Sequence, residues 1–315
     1  MGDRKTIVII NPASSAGRTG RRQREILAAI ERHIGRGFSL FVTKRPKDAT
    51  FAAREASLRG IELVIAVGGD GTIQEVVNGL MKAARASDRR PQLGIINAGT
   101  GHGFAQSLGL PAGLDAQCAG IAGGNIRRVD VGRAAFSDGA GRRVERYFIN
   151  ECQAGIGGMV VEKVQSGHKK LGGFLGFGLA TLTTALSYPN RSIRFSLDGG
   201  PEQSGTFIGI VAANGSAMAG GMRLAPRATV EDGELDFLFM HGQTLAERLR
   251  NFPKIYAGTH LDSPKFGYLR GRSISLASED RVSFEADGEP FGHLPCRIEV
   301  VPAALEVRTA EPVTG

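Results

Sequence analysis

The most unusual chemical feature of the sequence is a carboxylate inside a glycine turn, Gly68-Gly69-Asp70-Gly71-Thr72. The turn lies between a buried-strand pattern, Leu63 to Val67, and a helical pattern, Thr72 to Ala84. Because glycines lack Cβ atoms, backbone N–H groups can converge on an anion there, and the helix N-terminus adds a positive dipole. A carboxylate beside phosphates is repulsive unless it holds Mg²⁺ or takes a proton. The turn therefore favours phosphoryl chemistry, whereas Asp70 in a lone turn would be interpreted as a helix cap.

Two further glycine turns follow strand patterns in the same way. Asn97-Ala98-Gly99-Thr100-Gly101-His102-Gly103 comes after the apolar residues Ile95 and Ile96, and Asn11 to Gly17 comes after the first strand pattern. Ligands of open α/β sheets bind at the carboxyl ends of the strands. Three polar glycine turns at such ends make a single polyphosphate pocket a plausible prediction.

Composition limits the class of protein. Hydrophobic residues make up 42% and charged residues 22% of the 315 residues, as in ordinary globular proteins, and the length suggests two domains. A net charge of +8 implies an anionic partner, which could be a nucleotide, a nucleic acid or an acidic membrane surface. Nucleic acid has only this charge in its favour, since no aromatic-basic motif accompanies it. The three cysteines lie far apart and form no CxxC pair, so they indicate neither a zinc site nor a disulfide framework, which fits a reducing cytoplasm.

The elements that must position these turns alternate between strand and helix in the first 130 residues. This alternation predicts right-handed βαβ crossovers and a three-layer α/β domain with a parallel sheet. The predicted strands are Thr6 to Ile10, Phe38 to Thr43, Leu63 to Val67 and Leu93 to Ile96. The predicted helices are Gly20 to Ile34, Lys47 to Leu58 and Thr72 to Ala84.

Residues 131–302 show short strand patterns between Gly, Pro and Asp turns, which predict a mainly antiparallel β-sandwich domain. A last strand pattern, Ala304 to Arg308 within residues 303–315, could return to the first domain. Leu171 to Leu186 is the most apolar segment, but 16 residues are too few to span a bilayer. We expect a packed helix there, with membrane contact as the alternative. The strand patterns of this second domain are Glu145 to Asn150, Ser192 to Leu197, Thr206 to Ala212, Leu235 to Met240, Ser273 to Leu276, Val282 to Glu285 and Arg297 to Val301.

These motifs resemble the catalytic family of the diacylglycerol kinases, which includes sphingosine and ceramide kinases and is related to the NAD kinases. The resemblance covers nearly the whole chain, and its most specific part is GGDGTIQEVVNGL at Gly68 to Leu80. It implies an ATP- and Mg²⁺-dependent lipid kinase that works at an anionic membrane surface from the cytoplasm. The other matching segments are Asn97 to Pro111, Asn214 to Pro226, Asp232 to Asp236, Asp287 to Pro290 and Ile298 to Val307.

The resemblance also implies roles for particular residues. Residues 1–130 would bind the nucleotide and residues 131–302 the lipid, with Glu289 as the base that takes the proton of the lipid hydroxyl. Asp70 would lie beside the phosphates and the catalytic Mg²⁺. Asp130 matches another acidic position of the family, near this metal. Asp232 would hold a structural Mg²⁺ with backbone carbonyls of neighbours such as Thr229 and Glu234. The residues implied for the nucleotide site are Asn11, Thr43, Gly68, Gly69, Asp70, Gly71, Thr72, Gly99, Thr100 and Gly101.

Each implied role has a structural alternative. Asp287-Gly288 and Asp232-Gly233 are also ordinary hairpin turns, and Asp130 could simply end a strand. Many family members carry Asn-Asp where this chain has His102-Gly103, so an acidic group near the metal is missing. His102 is then a candidate phosphate or substrate contact, or an exposed loop histidine. An NAD kinase-like phosphotransferase and a catalytically degenerate nucleotide- or lipid-binding protein are therefore kept as alternatives, and the oligomeric state is open.

Overall fold

The computed structural model describes residues 5–87, 89–99, 103–166, 183–184, 187–218 and 221–310. It divides the chain into two compact units: unit 1 is Met1–Asp130 with Ala303–Gly315, and unit 2 is Val131–Pro302. Thr100, Gly101, His102 and most of the segment from Leu171 to Leu186 lie outside the described residues, and so does the predicted helix there.

Strands and helices are numbered in chain order within the described residues. The strands are β1 (Thr6–Ile10), β2 (Phe38–Val42), β3 (Leu63–Gly68), β4 (Gln92–Asn97), β5 (Asn125–Ser137), β6 (Arg143–Phe148), β7 (Glu151–Gly155), β8 (Arg191–Leu197), β9 (Gln203–Ala213), β10 (Leu235–His241), β11 (Phe266–Gly271), β12 (Ser273–Ala277), β13 (Ser283–Ala286), β14 (Glu289–His293) and β15 (Cys296–Thr309). The helices are α1 (Arg18–Arg21), α2 (Gln23–Ile34), α3 (Asp48–Leu58), α4 (Asp70–Ala84), α5 (Gly103–Ser107), α6 (Leu114–Gly123), α7 (Ile156–Ser166) and α8 (Leu245–Ala257).

Unit 1 is built on a parallel sheet in the order β2-β1-β3-β4, to which the end of β15 adds through Val307 beside Leu93. Every residue of β3 is buried, because a parallel strand with helices on both faces needs apolar side chains on both. On α2, Ile26, Ala29 and Ile30 are buried against this sheet at helical spacing. The predicted parallel α/β class is confirmed.

Two predicted helices of unit 1 differ from the observed ones by more than one residue. The segment from Gly20 to Ile34 is not one helix, because α1 ends at Arg21 and α2 begins at Gln23. The helix expected from Thr72 begins at Asp70 and has Gly69 as its N-cap. The second difference matters for the site, since it places the Asp70 carboxylate in the first helical turn.

Unit 2 is an antiparallel assembly in the order β14-β13-β7-β9-β8-β12, with β10 between β9 and β11. Its core is rich in phenylalanine: the Phe136 and Phe284 rings meet edge to face at 5.1 Å, and Phe195 and Phe239 lie 4.7 Å apart. The antiparallel β class predicted for this half is confirmed.

Several strand ends in unit 2 differ from the predicted ones. The patterns from Arg297 to Val301 and from Ala304 to Arg308 form one continuous strand, β15. The pattern from Glu145 to Asn150 does not continue through Asn150, because β6 stops at Phe148 and β7 starts at Glu151. The backbone N–H groups of Ile149 and Asn150 donate to the Asp287 carboxylate, at 2.8 and 2.9 Å. A side chain therefore replaces the strand partner at this break.

Candidate active site

Three loops of unit 1 are tied together at the carboxyl ends of β1, β3 and β4. Asn11, which follows β1, donates from Nδ2 to Thr72 Oγ1 at 3.0 Å. The Ala98 N–H, after β4, donates to the Gly68 carbonyl at 2.8 Å, and the Ser15 hydroxyl donates to the Ala98 carbonyl at 2.6 Å. The structure thus brings the three glycine turns to one edge of the sheet.

Glycine at Gly68, Gly69 and Gly99 is explained by contacts within the chain. A Cβ atom on Gly99 would lie 2.5 Å from the Gly69 Cα atom, closer than real Cβ contacts come. A Cβ on Gly68 would overlap the Thr72 side chain. Gly69 and Gly99 let the turn after β3 touch the turn after β4, and Gly68 leaves room for the Thr72 side chain, so contacts within the chain explain all three glycines without a ligand.

Gly71 is different because no contact among the described residues requires a glycine there. A Cβ atom added there would meet no atom within 4 Å, and the residue is exposed with an ordinary negative φ. It lies in the first turn of α4, which has 15 residues and no side-chain cap at its N-terminus. Open space at the positive end of a long helix is a suitable place for an anion.

The Asp70 carboxylate is directed toward the next helix. Its Oδ2 atom accepts from the Gly103 N–H at 3.3 Å, and Oδ1 accepts from the Phe104 N–H at 3.4 Å, at the start of α5. The cap of α4 itself is Gly69, so the interpretation of Asp70 as the cap of its own helix is wrong. Asp70 instead connects the turn after β3 to the first residues of α5.

Thr43 follows β2 at the same edge of the sheet. It is 8% exposed, and its N–H donates to the Ile10 carbonyl at 2.9 Å. Its position continues the row of turns toward the outer strand of the sheet.

In unit 2, Asp287 and Gly288 form the two-residue turn between β13 and β14. Their φ angles of 50° and 80° are both positive, as a type I′ hairpin turn requires. The Asp287 carboxylate accepts from the N–H groups of Ile149, Asn150 and Glu151, at 2.8, 2.9 and 3.1 Å. The hairpin interpretation is therefore right about the backbone, and the aspartate fixes the turn to the chain between β6 and β7.

Glu289 is the first residue of β14, directly after this turn. It is exposed, and it pairs with Ala286 across the hairpin. An exposed carboxylate at the base of a braced turn is accessible to a substrate and held at a defined place on the backbone.

Two buried glutamates lie behind the turn, and the sequence interpretation missed both. Glu151 and Glu285 are 5% and 1% exposed, on the adjacent strands β7 and β13. Glu285 Oε2 accepts from the Gly288 N–H at 2.9 Å. Burial raises the pKa of Glu285 to about 8. Burial also raises the pKa of Glu151 well above its usual range, and the neighbouring Glu285 and Asp287 carboxylates raise it further. The pair therefore retains a proton near neutral pH. The sequence signal that could have identified them was an acidic residue within, or directly next to, an apolar strand pattern.

The residues implied for a structural metal form an acidic group around one arginine. Arg270 pairs with Asp232 and lies 3.0 Å from Glu234 Oε2 and 3.6 Å from Asp236 Oδ1. Asp236 is 1% exposed; burial raises its pKa, while the Tyr268 hydroxyl and Arg270 lower it. Three carboxylates around one guanidinium leave a net negative charge, and their oxygens are of the type that Mg²⁺ prefers, but Arg270 pairs with all three.

Such an ion would depend on backbone oxygens as well. In the described ranges, no three His, Cys, Asp or Glu side chains are arranged to hold a metal ion. Thr229, the nearby residue implied to offer its carbonyl, is exposed. Asp130 is in the part of β5 that belongs to unit 1; it is 2% exposed, and its Oδ1 atom accepts from the Ala303 N–H at 2.7 Å.

Glycine turns at the ends of a parallel sheet in one unit, with antiparallel strands in the other, define a kinase-type phosphotransferase fold. Residues 5–134 match the model of the diacylglycerol kinase catalytic domain, and residues 150–309 match that of the YegS C-terminal NAD kinase beta sandwich-like domain. The chain therefore belongs to the diacylglycerol kinase family, and it is a kinase by class.

Individual relatives agree with this assignment. The chain is 32% identical to a protein of Chromohalobacter salexigens named "Probable lipid kinase YegS-like", over 87% of this chain and 84% of the relative. It is 30% identical to a diacylglycerol kinase of Bacillus subtilis, over 91% and 90%. A crystal structure of a diacylglycerol kinase from Bacillus anthracis shares the fold, with a TM-score of 0.76, 23% identity and 99% of both chains covered. An NAD kinase from Archaeoglobus fulgidus is more distant, with a TM-score of 0.50, 13% identity and coverage of 97% and 94%.

No helix among the described residues is both long and apolar enough to cross a membrane.

Proposed function

We propose that this chain transfers the γ-phosphoryl group of ATP to the hydroxyl group of a lipid. The observation that carries the proposal is the open space at Gly71, at the uncapped N-terminus of α4 and directly after Asp70. Open space alone does not distinguish Gly71, since Gly123 in α6 has it too. The position of Gly71 in the first turn of α4, directly after Asp70, is what suits an anion that approaches the backbone closely. Family membership makes nucleotide phosphate the first choice for that ligand.

In this proposal the three turns of unit 1 bind the nucleotide. The backbone at Gly71 and Thr72 faces the phosphates, while Gly68, Gly69 and Gly99 allow the turns to meet. Asn11 orients Thr72 through its side-chain amide, at 3.0 Å. Thr43, Thr100 and Gly101 are proposed for the rest of the nucleotide site.

Mg²⁺, when bound, supplies positive charge that offsets the developing charge on the phosphates. Asp70 would hold this ion, since its carboxylate is already oriented by the Gly103 and Phe104 N–H groups. Asp130 is proposed as a further acidic residue of the same network, and Asp232 with the Thr229 and Glu234 carbonyls is proposed for a structural Mg²⁺.

Glu289 is proposed as the general base. As the lipid hydroxyl oxygen forms a bond to the γ-phosphorus, its proton passes to the Glu289 carboxylate. The bond between the γ-phosphorus and the bridging oxygen breaks, and ADP leaves with that electron pair. The turn that carries Glu289 is braced by Asp287 and Glu285, so the base is positioned before substrate arrives.

The acceptor is proposed to be a lipid because the similar proteins are named diacylglycerol or lipid kinases. NAD kinases share the fold, so NAD is the acceptor to compare against. The test is transfer of labelled phosphate from ATP with Mg²⁺ to diacylglycerol, sphingosine, ceramide, phosphatidylglycerol and NAD. Transfer to a lipid supports the proposal, transfer to NAD alone replaces it, and transfer to none favours a binding protein that has lost catalysis.

Variants test the assigned residues. Asp70→Asn and Glu289→Gln should each lower kcat by about 100-fold or more, as loss of a metal ligand or base does. Asp115→Asn and Glu279→Gln are matched controls, because these exposed carboxylates form surface ion pairs with Arg32 and Arg194. Full activity in Asp70→Asn or Glu289→Gln, at unchanged Tm, would refute the mechanism.

A further inference from the structure

Strand β14 contains a β-bulge two residues after the proposed base Glu289. The register of β14 against β13 shifts between Phe284 and Glu285, so Phe291 is an extra residue with which no residue of β13 pairs. The Phe291 ring is buried, stacks on Phe136 at 5.8 Å and meets Phe284 edge to face at 5.9 Å. Bulges redirect side chains and are common next to active sites. This bulge holds an aromatic ring at a fixed place close to the base.

Arg146 of β6 lies over this ring. Its guanidinium carbon is 5.1 Å from the centre of the Phe291 ring, which is within the range of a cation–π contact. Its Nη1 atom donates to the Pro290 carbonyl at 3.2 Å. Because Pro290 directly follows Glu289 and neighbouring Cα atoms are about 3.8 Å apart, this nitrogen lies within about 10 Å of the Glu289 Cα atom. The two contacts therefore hold the cation of Arg146 beside the base.

The charge of Arg146 is not balanced by a carboxylate. Among the residues that the structure describes, no ion pair forms with it, whereas Arg133 of the neighbouring β5 pairs with both Glu145 and Glu299. The Pro290 carbonyl occupies one of the five N–H donors of the guanidinium, and the side chain is half-buried. Such a group is suited to an anion with several acceptor oxygens, and phosphate is the anion that arginine binds best.

We propose that Arg146 binds the phosphoryl group while it passes to the lipid hydroxyl. The inference rests on the proposed function: the lipid oxygen bonds to the γ-phosphorus as its proton passes to Glu289, so the phosphoryl group comes close to this residue. It is the one anion that the proposed reaction brings there with every lipid acceptor. The guanidinium keeps its proton and donates hydrogen bonds to the phosphoryl oxygens, over which negative charge is spread in the transition state. Arg146 is thus a further catalytic residue of the proposed reaction.

The first test is phosphate transfer to diacylglycerol and to phosphatidylglycerol by Arg146→Gln. Its kcat should fall by about 100-fold or more with both acceptors, because a donor to the transition-state charge is lost. The matched control is Arg143→Gln, which removes the same charge from an exposed position of the same strand and should keep the wild-type kcat. A loss confined to phosphatidylglycerol would overturn the assignment, since the guanidinium would then bind the headgroup phosphate.

The second test separates a phosphate contact from mere support of the turn before Glu289. Dihexanoyl phosphatidate carries the transferred phosphoryl group and dihexanoylglycerol does not, and isothermal titration calorimetry measures both affinities without turnover. Arg146→Gln should weaken binding of the phosphatidate by about 10-fold or more and leave that of dihexanoylglycerol unchanged. Asp287→Asn, which loosens the same turn and retains the arginine, should bind the phosphatidate as the wild type does. Arg146→Met, which still packs on the Phe291 ring, gives the same comparison if the glutamine variant does not fold.

The outcomes distinguish this inference from the proposed function. Equal affinity for the phosphatidate in Arg146→Gln and Arg143→Gln would overturn the inference and assign Arg146 to the support of β14, whatever the effect on kcat. The proposed kinase activity fails separately, if the wild type transfers phosphate to no acceptor. Weaker binding of the phosphatidate by Arg146→Gln would in that case still identify Arg146 as a phosphate-binding residue.

Discussion

Glu285 Oε2 accepts a hydrogen bond from the Gly288 N–H at 2.9 Å, directly behind the turn that carries Glu289. The acceptor is 1% exposed and has Glu151, also buried, on the neighbouring strand. A buried carboxyl pair that retains a proton thus supports the backbone of the proposed catalytic base. This relationship connects the protonation state of the core of unit 2 with the geometry of the site.

Replacing Glu285 should change how stability depends on pH. Burial raises the folded-state pKa of Glu285 to about 8, above its unfolded value. The folded protein therefore binds more protons than the unfolded chain between about pH 4.5 and about pH 8, so the free energy of unfolding falls as pH rises through that range. Glu285→Gln keeps an oxygen for Gly288 and cannot ionise. It should remove the part of that decline that comes from Glu285, on the order of a few kcal/mol, in urea unfolding followed from about pH 5 to about pH 9. Glu151, whose pKa is also raised, keeps its own part.

The control for this experiment is Glu279→Gln, whose side chain is 94% exposed in the wild type. Its unfolding free energy should follow the wild-type curve at every pH. Parallel pH curves for Glu285→Gln and the wild type would contradict the assigned protonation of the buried pair.

Asp287→Asn should reduce both stability and turnover. Asparagine tolerates the φ of 50° found at this position, so the backbone is not strained by the change. Its single side-chain oxygen replaces two that accept from Ile149, Asn150 and Glu151. At least one of these N–H groups then loses its acceptor, which lowers the free energy of unfolding by about 1 to 3 kcal/mol. The turn before Glu289 is then held by fewer hydrogen bonds. Thermal unfolding and kcat measure the two effects, with little change expected in KM for ATP.

Asp198→Asn is a closely matched comparison for this variant. Asp198 also has a φ of 50°, and its carboxylate accepts from the Arg272 and Ser273 N–H groups at 2.9 and 2.7 Å. Both of these bonds go to Oδ1, which asparagine retains, so Asp198→Asn should lose less stability than Asp287→Asn and keep its kcat. Equal losses of kcat in the two variants would mean that Asp287 acts only through general stability.

The sequence predicts the fold class because the periodicity of apolar residues is strong. A continuous apolar run such as Leu63 to Val67 is required where both faces of a strand are covered, and β3 is buried throughout. The glycine turn from Gly68 to Thr72 is likewise identifiable from residue types alone. Several amphipathic or short elements are missed, including α6, α8 and β11, because exposed apolar residues and local turns weaken their periodicity.

Pairings between distant parts of the chain could not be predicted. Nothing local distinguishes Gly71, which faces open space, from Gly69, which touches Gly99. Glu151 and Glu285 become neighbours only because β7 pairs with β13. The role of Arg270 among acidic side chains depends on the pairing of β11 with β10. Register across a sheet decides each of these contacts, and a single sequence does not specify it.

Gly99→Ala should disrupt the nucleotide site specifically. Its Cβ would lie 2.5 Å from the Gly69 Cα atom and 3.2 Å from Asn97 Oδ1, so one of the two turns must move. KM for ATP should rise by about 10-fold or more, since a displacement of about 1 Å is costly in a positioned site. Gly123→Ala, in α6, meets no atom within 4 Å and should leave KM unchanged. Unchanged ATP binding in Gly99→Ala would show that the contact between these turns does not shape the nucleotide site.

Arg270→Gln should make the acidic group of unit 2 dependent on added metal. Without the guanidinium, Asp232 and Glu234 lose their ion pairs, and the 1% exposed Asp236 loses its nearest cation, so Tm should fall by several degrees. If Asp232 holds Mg²⁺, millimolar Mg²⁺ should raise the Tm of this variant more than that of the wild type, in which Arg270 competes for the same oxygens. Asp232→Asn/Arg270→Gln should lose that response, and an equal concentration of charge as NaCl should not reproduce it. An identical response to Mg²⁺ in all three proteins would place the stabilising ion away from Asp232.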